Sequence, residues 1–295
     1  MKIRIIGCGA MGSGMVKNLQ RTDHEVATFD PDPTKQEQMK KLGATPVSRP
    51  TAGIAETEVV LLSLPTSSMV WETVIGKEGI LSYLSEGAYI LDMSTTDVEM
   101  TKHLARSAKE KGVDYLDCPV SNGPTGANDG TLTIMVGGEK EAFDAMLPVL
   151  SAIGKEVRYI GPSGSGQVVK LCNNMMVAGI TALLSETFLT GAKNGVDPKK
   201  IAELMAIGSA QTKVLSVFGP NLIDDTHNEV KFLLSHMAKD INLYMDMTKK
   251  AESPALIGSL VAQLYEAAKR QGLGHLDTSA VGQVVEWMGN HKISV

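Results

Sequence analysis

The sequence is poor in cysteine and in aromatic residues, and its basic residues form no cluster. Three of its 295 residues are cysteines and 4% are aromatic. Cys8, Cys118 and Cys172 are widely spaced and form no metal-binding motif, which argues against a disulfide framework and is typical of a reducing compartment. Because the net charge is −5 and the lysines and arginines are dispersed, nucleic acids and anionic membranes are not expected as partners.

The chain also lacks an uncharged apolar run that would require a membrane span. Its most apolar helical stretch contains Lys170, Asn174 and Glu186. A strand pattern starts at Lys2 with no signal peptide before it, so we expect a cytoplasmic protein. With 43% hydrophobic residues, the chain can bury a sizeable core in one large or two ordinary domains.

Strand-like and helix-like segments alternate over the first part of the chain. The predicted strands cover residues 2–6, 25–29, 58–64, 89–92, 115–120, 131–136 and 157–160. This alternation predicts an α/β fold with a doubly wound, Rossmann-type domain in residues 1–163. A long helix over 167–192 and further helical patterns predict an all-helical domain in residues 164–295. Since one small helical domain covers so long an apolar helix incompletely, we expect a homodimer or homotetramer.

A glycine-rich turn follows the first predicted strand and opens a helix. Gly7, Gly9 and Gly12 form the pattern Gly-x-Gly-x-x-Gly. The first glycine permits a tight turn, the second lets a pyrophosphate approach the backbone, and the third allows close helix packing. With Ala10 and Met11 at the positive end of the helix, the turn predicts dinucleotide binding.

Asp30 ends the second predicted strand, eighteen residues after Gly12. An acidic residue at about this spacing binds the ribose hydroxyls of NAD. A carboxylate there would repel the 2′-phosphate of NADP, and the next three residues, 31–33, include no arginine to bind one. Asp30 therefore favours NAD over NADP. The alternative is that Asp30 only begins a turn, as Asp-Pro often does.

Lys170 and Asn174 lie four residues apart at the start of the long apolar helix. Four residues make about one helical turn, so both side chains project from the same face. Because a buried lysine is costly, this pair indicates a catalytic site rather than packing. Cys172 points to another face, and we expect it to be a small packed residue rather than a nucleophile.

Several segments of the chain match sequence patterns of one enzyme family. They are the glycine-rich turn, DCPVSNG at 117–123, GTLTIMVGG at 130–138, the pattern Gly-x-Gly-x-x-x-Lys-x-x-Asn-Asn at 164–174, and Phe232 with Lys239 and Asp240. In these segments the chain resembles the β-hydroxyacid dehydrogenases, typified by 3-hydroxyisobutyrate dehydrogenase. The resemblance covers nearly the whole chain, and the segments occur in the family's order.

The resemblance implies roles for individual residues. Lys170 resembles the family's general acid/base, and Asn174 its substrate-orienting amide. A lysine with an ordinary pKa of about 10.4 is a poor base at neutral pH unless its surroundings lower that value, whereas it can act as an acid without help. Phe232, Lys239 and Asp240 resemble the helix that closes on cofactor and substrate. Leu64 and Pro65 resemble the segment bordering the adenosine, and Thr95 follows a strand end where we expect the nicotinamide.

Ser121, Asn122 and Gly123 resemble the family's substrate loop, which usually reads Asp-Ala-Pro-Val-Ser-Gly-Gly. A hydroxyl and successive backbone N–H groups after a strand can bind a carboxylate, so we expect a small carboxylic acid as substrate. Asn122 replaces the usual glycine. If the Asn122 side chain faces the pocket, the substrate could be a more polar acid or a sulfonate. If the side chain points outward, the expected substrate class is unchanged.

The resemblance implies an NAD-dependent enzyme that interconverts a small 3-hydroxy acid and its semialdehyde. Semialdehyde reductases acting on glyoxylate, succinic or tartronate semialdehyde are the nearest alternative, but those resembling this chain often use NADPH and carry Asn-Arg-Thr at 29–31. 6-Phosphogluconate dehydrogenases carry His-Asn at 173–174, and imine reductases usually replace the catalytic lysine. A non-catalytic dinucleotide sensor is the alternative of another class, and we would expect it to have lost Lys170.

Overall fold

The computed structural model describes residues 1–294. It divides into two compact units, Met1–Lys170 and a second unit that begins at Leu171. The long helix α7 (Ser165–Lys193) continues through this boundary, which lies seven residues beyond the boundary predicted at 163/164.

The first unit alternates strands and helices. Its strands are β1 (Lys2–Ile6), β2 (Glu25–Phe29), β3 (Thr45–Pro46), β4 (Val59–Leu62), β5 (Tyr89–Asp92), β6 (Asp114–Asp117), β7 (Val120–Ser121), β8 (Leu132–Gly137) and β9 (Gly154–Gly161). Its helices are α1 (Ala10–Leu19), α2 (Pro33–Lys41), α3 (Ser67–Ile75), α4 (Val98–Lys109), α5 (Gly123–Asp129) and α6 (Lys140–Ile153). Strands and helices therefore follow one another as the sequence pattern predicts.

These strands form one sheet in the order β3-β2-β1-β4-β5-β6-β8-β7, with β9 also paired to β8. The first six strands in this order, β3, β2, β1, β4, β5 and β6, are parallel to one another, whereas β8 runs antiparallel to β6. The order 3-2-1-4-5-6 is that of the doubly wound dinucleotide-binding fold. The strand order reverses between β1 and β4, and ligands bind beyond the carboxyl ends of the strands at such a point.

Apolar side chains cover both faces of this sheet. All four residues of β4 are buried, as are the last four of β1, which is typical of parallel strands packed on both sides. One core includes Met15, Leu19, Met146 and Leu150 from α1 and α6, and the other includes Val70, Val74 and Leu104 from α3 and α4. The helices thus fix the ends of the strands, and predicted site residues such as Asp30 and Thr95 follow these strand ends.

Some strands differ from those predicted. The segment predicted at 115–120 is divided into β6 and β7 by Cys118 and Pro119, since proline has no N–H to donate to a ladder. Strand β4 ends at Leu62, so Leu64 and Pro65 lie in the loop after it. The two-residue β3 was not predicted, because so short an edge strand has no detectable periodicity.

The second unit is helical and continues from α7 through α8 (Pro198–Ile207), α9 (Lys213–Ile223), α10 (Leu234–Lys250), α11 (Leu256–Arg270) and α12 (Val281–Gly289). Helices α8 and α9 begin at capping residues, because Asp197 accepts a hydrogen bond from the Lys199 N–H and Thr212 accepts one from Leu215 N–H. One core of this unit packs residues of α7, α10, α11 and α12, among them Ala178, Ile241, Tyr265 and Val284. The predicted combination of a Rossmann-type domain and a helical domain is confirmed.

By length and composition alone, α7 could cross a membrane. Half of its most apolar window is buried within the protein, however, as in the core helices of water-soluble proteins. The helix therefore does not indicate a membrane span.

Candidate active site

The glycine-rich turn connects β1 to α1 in close contact with neighbouring backbone. Gly7 has a φ of +94°, and a Cβ atom there would lie 2.3 Å from the Ser63 carbonyl oxygen. A Cβ at Gly12 would lie 2.0 Å from the Gly7 carbonyl oxygen. Both positions therefore require glycine for packing reasons.

Gly9 differs from these two glycines. A Cβ there would meet no protein atom within 4 Å, so the space in front of its backbone is open. Gly9 is the N-cap of α1 and offers no side-chain cap. The first N–H groups of that helix, beginning at Ala10 and Met11, have no intrahelical partners and can bind phosphate oxygens. The residues present fit a dinucleotide pyrophosphate.

Asp30 lies directly beside this turn. Its Oδ2 atom accepts a 2.8 Å hydrogen bond from the Cys8 N–H, and its Oδ1 atom accepts one of 2.9 Å from the Asp32 N–H. Because a carboxylate can accept about four hydrogen bonds, capacity remains for ribose hydroxyls. The Lys35 ammonium lies 3.7 Å from Oδ2. Sequence reasoning considered only an arginine at residues 31–33 and missed this lysine in α2.

The loops after β4 and β5 are bonded to each other. The Leu64 N–H donates to the Ser94 hydroxyl at 2.9 Å. Pro65 precedes Thr66, whose hydroxyl caps α3 by accepting from the Met69 N–H. Since Thr95 immediately follows Ser94, the predicted adenosine-side and nicotinamide-side segments are brought together.

Asp92, at the end of β5, is a fully buried carboxyl group beneath this loop. It accepts hydrogen bonds from the Tyr115 hydroxyl at 2.9 Å, the Thr96 hydroxyl at 3.2 Å and the Ser94 N–H at 3.0 Å. Burial raises the pKa of Asp92 from 3.8 to about 6, although these hydrogen bonds oppose the change. The carboxyl group therefore binds its proton more tightly in the folded protein than in the unfolded chain.

We expect Asp92→Asn to gain stability relative to the wild type as the pH rises. Because the folded-state pKa is raised, the stability that Asp92 contributes is complete below its unfolded pKa and is lost as the pH rises through about 6. The loss amounts to about 2 kcal/mol between pH of about 4 and about 7, and asparagine does not titrate. Thermal unfolding of the wild type and of Asp92→Asn at several pH values in this range measures the difference in stability. A difference between their thermal midpoints that does not change with pH would contradict the raised pKa.

Asp117, at the end of β6, holds the beginning of α7. Its Oδ1 atom accepts from the Gly164 N–H at 2.7 Å, and its Oδ2 atom accepts from the Gln167 N–H at 3.0 Å. A carboxylate at a helix N-terminus is favourable because it faces the positive end of the helix dipole. A Cβ at Gly166 would lie 2.8 Å from Oδ2 and 2.4 Å from the Met135 carbonyl oxygen. The second glycine of the 164–174 pattern thus allows this close approach.

Ser121, Asn122 and Gly123 follow one another from β7 into α5. The Ser121 hydroxyl oxygen is buried and has no hydrogen-bond partner within residues 1–294. Asn122 has a φ of +82°, and its amide nitrogen donates to the Thr131 carbonyl oxygen at 3.0 Å and the Thr133 hydroxyl at 3.3 Å. The Asn122 amide nitrogen is therefore bonded to Thr131, just before β8, and to Thr133 within β8.

Lys170 and Asn174 both lie on α7, and both are buried, with 7% and 4% of their surfaces exposed. The expectation that Cys172 is packed was wrong, because that residue is exposed. Partial burial raises the pKa of the Cys172 thiol, which does not favour a thiolate nucleophile. The helical spacing correctly separates Cys172 from the buried face, but it cannot tell which other face meets solvent.

Asn174 is held by α10 within the second unit. Its amide nitrogen donates to the Asp240 Oδ2 atom at 2.6 Å, while its oxygen accepts from the Asn173 amide at 3.0 Å. Asp240 is 3% exposed, and its Oδ1 atom lies 3.1 Å from the Lys239 ammonium. One buried carboxylate therefore orients both Asn174 and Lys239.

Phe232 lies just before α10, and contacts with Asp277 and His236 fix its position. Its N–H donates to the Asp277 Oδ2 atom at 3.1 Å, and its ring packs edge-on to His236 with the ring centres 6.2 Å apart. Asp277 is fully buried and also accepts from the Lys231 N–H at 2.8 Å. Sequence reasoning missed Asp277, because no motif indicated that it fixes this segment.

Two family models match consecutive parts of the chain. One is described as the NAD binding domain of 6-phosphogluconate dehydrogenase and matches residues 2–161. The other is described as the NAD-binding domain of NADP-dependent 3-hydroxyisobutyrate dehydrogenase and matches residues 164–285.

Several relatives match the chain over nearly its whole length. The 2-hydroxy-3-oxopropionate reductase of Escherichia coli is 33% identical over 294 residues, which are 100% of both chains. The 2-(hydroxymethyl)glutarate dehydrogenase of Eubacterium barkeri is also 33% identical, over 100% of this chain and 98% of the relative. The structure of Mycobacterium tuberculosis 3-hydroxyisobutyrate dehydrogenase with L-serine has a TM-score of 0.89 at 28% identity, over 96% of this chain and 98% of that one.

The fold, the glycine turn and these comparisons define an oxidoreductase that uses NAD and acts on CH–OH groups. The chain belongs to the β-hydroxyacid dehydrogenase family.

Proposed function

We propose that this enzyme interconverts a small 3-hydroxy acid, of the 3-hydroxyisobutyrate type, and its semialdehyde, with Lys170 as general acid/base. The observation that carries the proposal is the buried Lys170 on α7, one turn before the buried Asn174. A buried lysine is rare without a structural or chemical purpose, and the family comparisons cover this segment. The cofactor-binding residues of the proposal are Gly7, Gly9, Ala10, Met11, Gly12, Asp30, Leu64, Pro65, Thr95 and Lys239.

In the oxidation direction, the neutral Lys170 amine accepts the hydroxyl proton as the C–H bond breaks. Bound NAD supplies the hydride acceptor. In the reverse direction, the Lys170 ammonium donates its proton to the developing alkoxide, so atoms and charge balance in both directions. Asn174 orients the substrate oxygen without adding charge, and Asp240 keeps the Asn174 amide in one orientation. Lys239 and Phe232 complete the proposed substrate-binding set.

The proposed carboxylate site is the loop formed by Ser121, Asn122 and Gly123. The buried Ser121 hydroxyl, which has no partner among residues 1–294, can donate to a substrate carboxylate. The Asn122 amide is bonded to Thr131 and Thr133. This supports an ordinary carboxylate over a sulfonate, because Asn122 has no remaining amide hydrogen to offer to a third oxygen.

Comparison of an acid with its neutral ester tests this site. We expect kcat/KM for 3-hydroxyisobutyrate to exceed that for its methyl ester by about 10² or more, because hydrogen bonds to a charged group contribute the discrimination. Ser121→Ala should lower kcat/KM for the acid but not for the ester. Ser163→Ala removes another buried hydroxyl without a partner among residues 1–294 and serves as the matched control. Equal rates for acid and ester would contradict carboxylate recognition.

Asp30→Ala is expected to weaken the preference for NAD over NADP. The change removes the carboxylate that repels a 2′-phosphate and leaves Lys35, 3.7 Å from Asp30, able to attract one. The ratio of kcat/KM values for NAD and NADP should fall by about tenfold or more. Asp32→Ala is the control, because Asp32 caps α2 through the Thr34 N–H and its loss should leave the ratio unchanged. An unchanged ratio in Asp30→Ala would contradict the ribose assignment.

Reduction of a semialdehyde is the second candidate, and the Escherichia coli relative favours it because its name describes a reductase and the match covers both chains fully. The residues and proton transfers are the same in both directions. Initial rates in the two directions, measured with 2-hydroxy-3-oxopropionate and with the hydroxy acids, distinguish the candidates.

We also propose that the enzyme is a homodimer or homotetramer. The second unit exposes large apolar side chains on α7 and α11, namely Met176, Leu183, Leu256, Ile257 and Leu260. Exposed apolar side chains in this number commonly mark an interface with another chain. Light scattering measures the mass directly, and a monomer would contradict the proposal.

A further inference from the structure

Gln167 is a buried amide in the first turn of α7, three residues before Lys170. None of its surface is exposed. A buried amide is costly unless its donor and acceptor are both satisfied, so its partners show what holds it there. Sequence reasoning overlooked this residue, because the pattern at 164–174 specifies no residue type at position 167.

The side chain of Gln167 bonds to the backbone on both sides of Thr95. Its Nε2 atom donates to the Ser94 carbonyl oxygen at 2.9 Å, and its Oε1 atom accepts from the Thr96 N–H at 3.1 Å. Since both residues that flank Thr95 are held by one amide, the loop cannot move relative to Gln167 without losing a hydrogen bond. Thr95 is therefore fixed with respect to α7.

The backbone of Gln167 is anchored as well. Its N–H donates to the Asp117 Oδ2 atom at 3.0 Å, and the Gly164 N–H donates to Oδ1 at 2.7 Å. Asp117 is fully buried at the end of β6. One residue thus joins the loop after β5, the end of β6 and the helix that carries Lys170.

We propose that Gln167 is a positioning residue that sets the distance between Lys170 and the Thr95 loop. The inference rests on the proposed role of Lys170 as acid/base and Thr95 as a cofactor or substrate contact. Gln167 and Lys170 are separated by less than one helical turn, about 4.5 Å along the axis, so displacement of one moves the other. A misplacement of about 1 Å at a reacting group can lower the rate by about 10².

Gln167→Met tests the inference, because methionine is similar in length but forms neither hydrogen bond. We expect kcat to fall by about 10², while the Kd for NADH changes by less than about threefold. Backbone hydrogen exchange across residues 94–96 should become at least about tenfold faster. The matched control is Gln36→Met, which removes a glutamine amide that donates to the Val47 carbonyl oxygen, and which should leave kcat and this exchange unchanged.

The double variant Gln167→Met/Lys170→Met separates positioning from an independent effect. If Gln167 acts through Lys170, the double variant is no slower than Lys170→Met alone, because effects of residues that act as a unit do not add. If the kcat of the double variant fell by the product of the two single losses, the inference would be overturned. A kcat for Gln167→Met close to that of the wild type would also overturn it. A Lys170→Met enzyme with wild-type rates would instead overturn the proposed function, while hydrogen exchange would still report whether Gln167 holds the loop.

Gln167→Glu provides a test if the methionine variant does not fold. A protonated glutamic acid can donate to the Ser94 carbonyl oxygen and accept from the Thr96 N–H, whereas the carboxylate can only accept. The rate of this variant relative to the wild type should therefore rise as the pH falls. A pH-independent ratio would overturn the inference.

Discussion

Lys170→Met is expected to lower kcat by about 10²–10⁴, the loss that accompanies removal of a general acid/base. Methionine keeps most of the side-chain volume and removes the titratable amine of Lys170. The Kd for NADH should be unchanged, and the thermal midpoint of the variant reports whether the fold is retained. Lys193→Met is the control on the same helix, because the Lys193 ammonium donates to the Gly289 carbonyl oxygen and is exposed. Steady-state kinetics and NADH fluorescence titration measure these effects.

Lys170→Arg distinguishes proton transfer from electrostatic stabilisation. Arginine retains the positive charge, but its pKa of about 12.5 or higher prevents it from accepting a proton at neutral pH. We therefore expect Lys170→Arg to be as slow as Lys170→Met in the oxidation direction. If arginine restored the rate, Lys170 would act through its charge and not as a base.

Gly166→Ala is expected to destabilise the first unit, although helix propensity alone predicts the opposite. Gly166 is the second residue of α7, and helices favour alanine over glycine by up to about 1 kcal/mol. The added Cβ would lie 2.4 Å from the Met135 carbonyl oxygen and 3.0 Å from that of Asp117, and neither backbone atom can move without shifting a strand. Overpacking of this kind costs about 3 kcal/mol, so we expect a net loss of about 2 kcal/mol and a thermal midpoint lower by about 4–8 °C.

Gly179→Ala is the matched control for this prediction. It places the same methyl group in the same helix, but its nearest neighbour would be the Val261 Cγ2 atom at 3.8 Å, an ordinary contact. Gly179→Ala should therefore stabilise the protein by about 1 kcal/mol. If both variants changed stability in the same direction, the close approach of Asp117 to α7 would not explain Gly166.

Local patterns in the sequence predicted much of the fold. The glycine turn, the alternation of strands and helices, and the long apolar helix each depend on residues close in sequence, so periodicity and turn chemistry suffice to recognise them. The break between β6 and β7 and the exposure of Cys172 were not predicted. Pro119 lies within the segment and is a local signal for the break, which the strand pattern alone did not include. The exposure of Cys172 depends on which neighbour covers each face of the helix, and no spacing within one segment contains that information.

In the candidate site, too, the sequence predicted what depends on nearby residues and did not predict what depends on distant ones. Lys170 and Asn174 were recognisable, because one helical turn separates them. The bonds from Gln167 to Ser94 and Thr96 were not, because about seventy residues separate the partners. The direction of the Asn122 side chain was likewise open until its bonds to Thr131 and Thr133 were known. Long-range hydrogen bonds require the assembled sheet.

The most direct test of the central claim is NADH formation by the wild-type enzyme and by Lys170→Met with 3-hydroxyisobutyrate, L-serine and 2-(hydroxymethyl)glutarate. We expect at least one of these hydroxy acids to reduce NAD, and the rate to fall by about 10² or more in the variant while NADH binding persists. Tight NADH binding without reduction of NAD by any of these acids would contradict the proposed function, as would equal rates for the two proteins.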